Sequence, residues 1–216
     1  MKIMIVSDTI CPWCYVGKRR FERALAARQE ILTEIEWRPF ELNPQIPEEG
    51  LDRKVYMRAK FGGDERADQV YAGIRTAGLE ENIKFAFDKI LRVPNTVASH
   101  RLIAWSFPRG CQEQMVEELF QAYFLKGKDI GEIDVLVEAA GSIGFKKSEV
   151  RAYLVGGEGT EEIKSEAKDA KRLGISGVPC FVFNGKYAIS GAQEIEVFSR
   201  VFDLALQSDE DMDAKP

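Results

Sequence analysis

The order of elements in this chain predicts an α/β fold interrupted by a large all-helical insertion. Three features of the sequence predict it. A strand–helix–strand pattern is complete by Leu42, helical periodicity with almost no strand signal fills Leu51 to about Leu173, and two short apolar runs joined by Asn184-Gly185 precede a last amphipathic helix. The implied division is a discontinuous unit over 1–50 and 160–207, a helical insertion over 51–159 and a flexible acidic tail over 208–216.

Lys2 to Ser7 is a short run of apolar and β-branched side chains, as a buried strand requires. Asp8-Thr9-Ile10 turns, and Pro12 stands where a helix can begin, because its missing N–H would be unpaired in a first turn anyway. Phe21, Leu25 and Arg28 recur at helical spacing to about Glu30. Ile35 and Trp37 then alternate with Glu34, Glu36 and Arg38, a half-buried strand. Asn43 to Gly50 holds too many breakers for a regular element. Helices are predicted over Val55 to Phe61, Glu65 to Leu79, Thr96 to Phe107, Gln112 to Leu125, Ile133 to Ile143 and Lys147 to Leu154, with Pro94-Asn95-Thr96 supplying a cap. A charged helix follows from Gly159 to Leu173. Asn184-Gly185, between Cys180 to Phe183 and Lys186 to Ile189, marks a tight hairpin, since both turn residues tolerate positive φ. The closing helix, Gln193 to Leu206, gathers Ile195, Phe198, Phe202 and Leu206 on one face. This is the order of a thioredoxin-like domain with a helical subdomain inserted, and the two ends of the chain build its catalytic half.

Charge and hydropathy exclude two classes of partner. Lys and Arg number 30 against 35 Asp and Glu, a net charge of −5, so no surplus of cations exists to displace counterions from a nucleic acid. No stretch approaches the ~20 apolar residues of a membrane-spanning helix. The apolar run after Met1 is too short for a secretory h-region. The expectation is a cytoplasmic protein with no nucleic-acid or membrane partner. In that compartment thiols stay reduced, so a close cysteine pair points to catalysis or metal binding rather than to a structural bridge.

Cys11-Pro12-Trp13-Cys14 lies where the first strand hands over to the first helix. The spacing puts both sulfurs on one side of the first turn, close enough to bridge. Cys11, at the cap, is expected to face the unpaired N–H groups of that turn, which favour negative charge on its sulfur and make it the nucleophile. Cys14, one turn further in, is the expected resolving thiol. Val178-Pro179 enters a strand where a proline is tolerable only at an edge or in an unusual peptide geometry, so a cis bond is expected there. In a thioredoxin-like fold that loop faces the cysteines, and the exposed main chain of Val178 can pair with an extended peptide or with glutathione.

Several segments together carry a family resemblance: Ser7-Asp8-Thr9-Ile10-Cys11-Pro12-Trp13-Cys14-Tyr15-Val16-Gly17-Lys18, Pro39-Phe40-Glu41-Leu42-Asn43-Pro44, Asn95-Thr96 with Ser99-His100-Arg101-Leu102, Gly174-Ile175-Ser176-Gly177-Val178-Pro179, and Ser190-Gly191-Ala192-Gln193. On these the chain resembles the DsbA-like thioredoxin superfamily in its FrnE-type cytoplasmic branch. The resemblance implies dithiol–disulfide exchange, a redox-active disulfide with no tightly bound cofactor, and a groove beside the cysteines shaped by the helical insertion. It implies thiol or disulfide proteins, or glutathione as co-substrate, as partners of a monomer or homodimer. Kappa-class glutathione transferases and chromene-carboxylate isomerases, which are related, carry serine where Cys11 stands, and this departure favours redox chemistry. Cys180 departs from the family, where an aromatic residue usually follows the proline.

The remaining assignments keep their alternatives. Trp13, between two reactive cysteines, is expected to line the partner surface. Asp8 closes the turn before the helix, with proton transfer at Cys14 as the functional alternative. Gly191 and Ala192 are expected to open the last helix, where their N–H groups can hold a carboxylate. Cys180 is an inert strand residue or a regulatory thiol near the site; Cys111 reads as an ordinary cysteine, His100 as a helix residue satisfied locally, and Asn43 as loop structure. With Cys111, Cys180 and His100 the only other soft ligands and no second close pair, no metal site is expected. A glutathione-dependent transferase or isomerase and a chaperone-like peptide-binding module are the competing functions.

Overall fold

The first strand, β1 (Lys2–Ser7), has almost no polar face to offer solvent, and Ile3, Ile5, Val6 and Ser7 are all buried. In the computed structural model, which describes residues 1–213, β1 therefore lies inside a four-stranded sheet. It pairs in parallel with β2 (Glu34–Pro39), Ile5 opposite Trp37, and antiparallel with β5 (Cys180–Phe183), Ile5 opposite Phe181. The hairpin through Asn184 and Gly185, both at positive φ, adds β6 (Tyr187–Ser190), giving the order β2-β1-β5-β6.

Strand alternation decides which layer each residue joins. Phe181 and Phe183 go to the face covered by α1 (Pro12–Ala26) and α9 (Ile195–Asp213). There Phe21, Phe198 and Phe202 surround them with ring centroids 4.9 to 6.2 Å apart. All five rings are fully buried, and each contributes roughly 2–3 kcal/mol by removal from water. Cys180 goes to the opposite face with Val6, Phe40 and Ala170 of α8 (Thr160–Arg172).

The insertion contributes α2 (Arg53–Phe61), α3 (Asp64–Glu80), α4 (Val97–Ser106), α5 (Gln112–Phe120), α6 (Ile133–Ser142) and α7 (Lys147–Gly156). It is fastened to α1 by aromatic rings and by a buried guanidinium. Tyr15 stacks on Phe120 at 5.0 Å and meets Phe85 edge-on at 6.2 Å. Arg20, buried, reaches Glu81 at 3.2 Å, the Ala192 carbonyl at 2.8 Å and Glu194 at 2.7 Å, which joins α1 to the end of α3 and to the loop before α9.

The structure departs from the expected elements in four places. The first helix ends at Ala26 rather than near Glu30, because Arg28 and Ile31 turn back through N–H bonds to Leu25 and Arg28. A ladder of two residues per strand, β3 (Leu51–Asp52) with β4 (Arg92–Val93), sits inside the insertion and is too short for any periodicity. The helix expected over Gln112 to Leu125 is α5 followed by a π-helical turn, Gln121–Leu125. The last helix starts later and runs through Asp213, so the tail expected from 208 is helical to that residue and its remainder lies outside the described residues. Among the described residues no helix is long and apolar enough to cross a membrane.

Candidate active site

Cys11 is the N-cap of α1, with extended backbone, and Pro12 occupies the first turn. The cap differs from expectation in one respect: the Cys11 sulfur accepts no N–H from the turn. The Cys14 N–H goes to the Cys11 carbonyl at 3.0 Å instead, and the Cys11 thiol donates to the Val178 carbonyl at 3.6 Å. Both cysteines are free thiols, Cys11 at 5% exposure and Cys14 at 0%. Burial pushes the Cys14 thiol well above its ordinary value; the Cys11 sulfur and the Asp8 charge add to this, against a backbone hydrogen bond from Asp8. The two sulfurs thus differ in kind. One is at the rim and the other is sealed beneath it.

The floor of the site is polar, buried and hydrogen-bonded throughout. Asp8 accepts the N–H of Leu42 at 2.8 Å and that of Ile10 at 3.3 Å, which closes the turn and ties it to the segment after β2. His100 of α4 places Nε2 3.2 Å from the Phe40 carbonyl and 3.7 Å from Asp8 Oδ1. A carbonyl only accepts, so Nε2 carries a proton. Thr9 and Ser99 share a hydrogen bond at 2.8 Å, and Ser99 donates on to the Thr96 carbonyl. Asp8 therefore both closes the turn and lies next to Cys14, while His100 is satisfied by a strand-end carbonyl rather than within its own helix.

The loop at Val178 and Pro179 lies over the cysteines. The Val178–Pro179 peptide is cis. Its position depends on Gly17: a Cβ there would stand 2.9 Å from Pro179 Cγ and 3.4 Å from Ala192 Cα, so only glycine lets α1 approach so closely. Gly191, at φ +84°, gives its N–H to the Pro179 carbonyl at 2.7 Å. This corrects the expected role of Gly191, whose N–H is already committed to the proline loop. Both Gly191 and Ala192 precede α9, and Ala192 turns its carbonyl to Arg20. The Val178 N–H has no partner among the described residues.

A cleft of about 260 Å³ opens beside Cys11, between the cysteine turn and the insertion. Cys11, Pro12, Trp13 and Val178 form one wall, and α2 and α3 form the other through Arg53, Tyr56, Lys60, Phe61, Val70 and Tyr71. Trp13 is 38% exposed on its edge. Cys180 does not line this cleft: facing α8, it is buried among Val6, Phe40 and Ala170, with Val178 packed against that group, and burial raises its thiol above the ordinary value. The alternation Cys180-Phe181 could have placed it. Cys111 caps α5, its thiol on the Arg109 carbonyl at 3.4 Å. The site residues that the sequence did not single out are Gly17, for which a glycine inside a helical pattern was the available signal, and Arg53, Tyr56 and Lys60, the first just before the expected helix over Val55 to Phe61 and the others within it.

Fold and site together define a thioredoxin-fold dithiol protein with a helical cap. The chain belongs to the DSBA-like thioredoxin domain family, which matches residues 2–203. It resembles a probable DsbA oxidoreductase from Streptomyces coelicolor at 32% identity and a TM-score of 0.86, covering 96% of this chain and 90% of that one. The cytosolic disulfide reductase DsbM from Pseudomonas aeruginosa, solved with GSH, shares the fold at 14% identity and a TM-score of 0.68, with 96% and 100% covered. The uncharacterized protein YwbO of Bacillus subtilis is 26% identical over 199 residues, 92% of this chain and 94% of that one. At the level of reaction class the chain is a thiol–disulfide oxidoreductase.

Proposed function

We propose that the protein is a dithiol–disulfide oxidoreductase and isomerase of the FrnE-type cytoplasmic branch, acting through Cys11 and Cys14. The Cys11 thiolate attacks a substrate disulfide, a Cys11–substrate bond forms, and the substrate's second sulfur leaves as a thiolate that takes a proton. Cys14 gives up its own proton, attacks the Cys11 sulfur and releases the remaining thiol. Two electrons pass to the substrate and a Cys11–Cys14 disulfide remains. Asp8, next to Cys14 and out of solvent, is the group available to accept the Cys14 proton. The free N–H of Val178, with Pro12, Trp13 and Pro179 around it, offers main-chain pairing to an extended substrate. Glutathione as co-substrate is supported by the DsbM relative, which was solved with GSH.

The observation that carries this reading is the pair of unequal thiols, one at the mouth of a cleft and one sealed a turn behind it. Insulin reduction tests it. Cys11→Ser is expected to abolish turnover, and unchanged turnover in that variant would remove the proposal. Full turnover in Cys14→Ala would favour the glutathione-dependent transferase alternative, which needs no internal disulfide.

A further inference from the structure

Among the described residues, the cleft beside Cys11 is lined by two cations, Arg53 and Lys60, and by no carboxylate. In a chain of net charge −5 this is a local reversal of sign. The buried cations of α1 are matched, Lys18 by Glu117 at 3.0 Å and Arg20 by Glu81 at 3.2 Å, whereas Arg53 is half-buried and Lys60 exposed. Arg53 and Lys60 form no ion pair among the described residues. The Arg53 guanidinium is nevertheless held in place, 5.0 Å over the Tyr71 ring and 5.7 Å over that of Phe87.

Tyr56 gives the reversal a direction. Its hydroxyl oxygen accepts Asn43 Nδ2 at 2.7 Å and Lys60 Nζ at 3.0 Å. Both lone pairs are then in use, and the proton is the one hydrogen-bonding capacity left. No acceptor takes it among the described residues. A hydroxyl that receives two hydrogen bonds, one of them from an ammonium, is a strengthened donor. It lines the same cleft as the Cys11 sulfur.

We infer that this cleft recognises the carboxylate of a low-molecular-weight thiol or disulfide, with Tyr56 donating to the carboxylate, Lys60 and Arg53 supplying the charge, and the ligand's sulfur directed to Cys11. The inference rests on the exchange reading above and adds to it the group by which a small ligand is recognised and the residues that hold it. At about 260 Å³ the space lies just below the roughly 300–1,000 Å³ of drug-sized sites, which suits a ligand of a few residues or fewer. Asn43 acts as a positioning residue for the Tyr56 hydroxyl.

Single-turnover oxidation of the fully reduced protein tests this without any added reductant. Three disulfides with similar short arms serve as probes: dithiodipropionate, which is anionic, hydroxyethyl disulfide, which is neutral, and cystamine, which is cationic. Each rate is divided by that of dithiothreitol with the same disulfide, which removes intrinsic reactivity. The normalised rates are expected to fall from anionic to neutral to cationic, with an anionic-to-neutral ratio of about tenfold that shrinks as salt rises. That ratio should approach one in an Arg53→Met, Lys60→Met double variant and fall about threefold in Tyr56→Phe. Equal normalised rates in the unsubstituted protein, or a ratio indifferent to salt and to the double substitution, would overturn the carboxylate site while leaving the exchange reading intact. No oxidation by any probe would instead bring down the exchange reading, and this inference with it.

Discussion

Two hollows border α1, and they treat charge in opposite ways. The larger, about 680 Å³, runs past Lys18, Arg19 and Glu22 to Glu113, Glu117 and Glu118 of α5. The smaller, about 260 Å³, lies at the helix N-terminus beside Cys11. In the larger hollow the cations are spent internally: Glu117 takes Lys18, Arg19, Tyr15 and Gln121, and Glu22 takes Lys18 and Arg19 again. Burial alone would raise the Glu117 carboxyl, but Lys18 beside it and the hydrogen bonds from Gln121, Lys18 and Tyr15 bring it below its ordinary value. In the smaller hollow the cations and a hydroxyl proton are left over. In the larger hollow the cations are matched by carboxylates, although Glu113 Oε1 is buried there without a hydrogen-bond partner among the described residues; in the smaller one, on the inference above, donors left over beside a reactive sulfur make a place for a ligand.

Substitutions can break or sharpen this contrast. The largest effect belongs to the sulfurs: Cys11→Ser should abolish single-turnover oxidation, measured by quenched-flow thiol counting. The next belongs to the matched hollow. Glu117→Gln leaves Lys18 buried with half its partners and should cost about 2 kcal/mol of stability by urea denaturation, whereas Arg53→Met and Lys60→Met should each change stability by less than about 0.5 kcal/mol. Equal costs in the two hollows would erase the distinction. Gly17→Val drives side-chain atoms into Pro179 and should cost about 1–3 kcal/mol through overpacking, read from the same curves. The smallest effect is in pH dependence. Because Cys14 is held protonated by burial in the folded chain, the unfolded chain loses that proton first as pH rises. Stability contributed by the buried thiol is therefore present below the usual thiol value and declines above it. Cys14→Ala should flatten the alkaline limb of the stability–pH curve.

The four-stranded sheet and its flanking helices were legible because their signals are local. Alternation at Ile35 and Trp37, the Asn184-Gly185 turn and the aromatic stripe of the last helix each state their own geometry. The cysteine pair was legible for the same reason, since Pro12 fixes where the helix starts. What escaped was relational. The Cys11 sulfur was expected to face helix N–H groups, but its thiol instead donates a hydrogen bond to the Val178 carbonyl, far away in sequence. Gly191 looked like a helix start with N–H groups to spare, and only the folded loop shows that N–H bound to Pro179. Tyr56 and Lys60 acquire meaning only when α2 is laid across the cleft, and nothing in their spacing announces that.

Mass spectrometry of Cys14→Ser after brief exposure to hydroxyethyl disulfide tests the central claim most directly, because it asks which sulfur attacks and whether the second is needed for release. A stable adduct of one hydroxyethylthio group mapped to Cys11, absent in Cys11→Ser and lost from the intact dithiol as the Cys11–Cys14 bridge forms, is the predicted result. Labelling of Cys111 or Cys180 ahead of Cys11, or an adduct that persists equally when Cys14 is present, would contradict the division of labour between the two thiols.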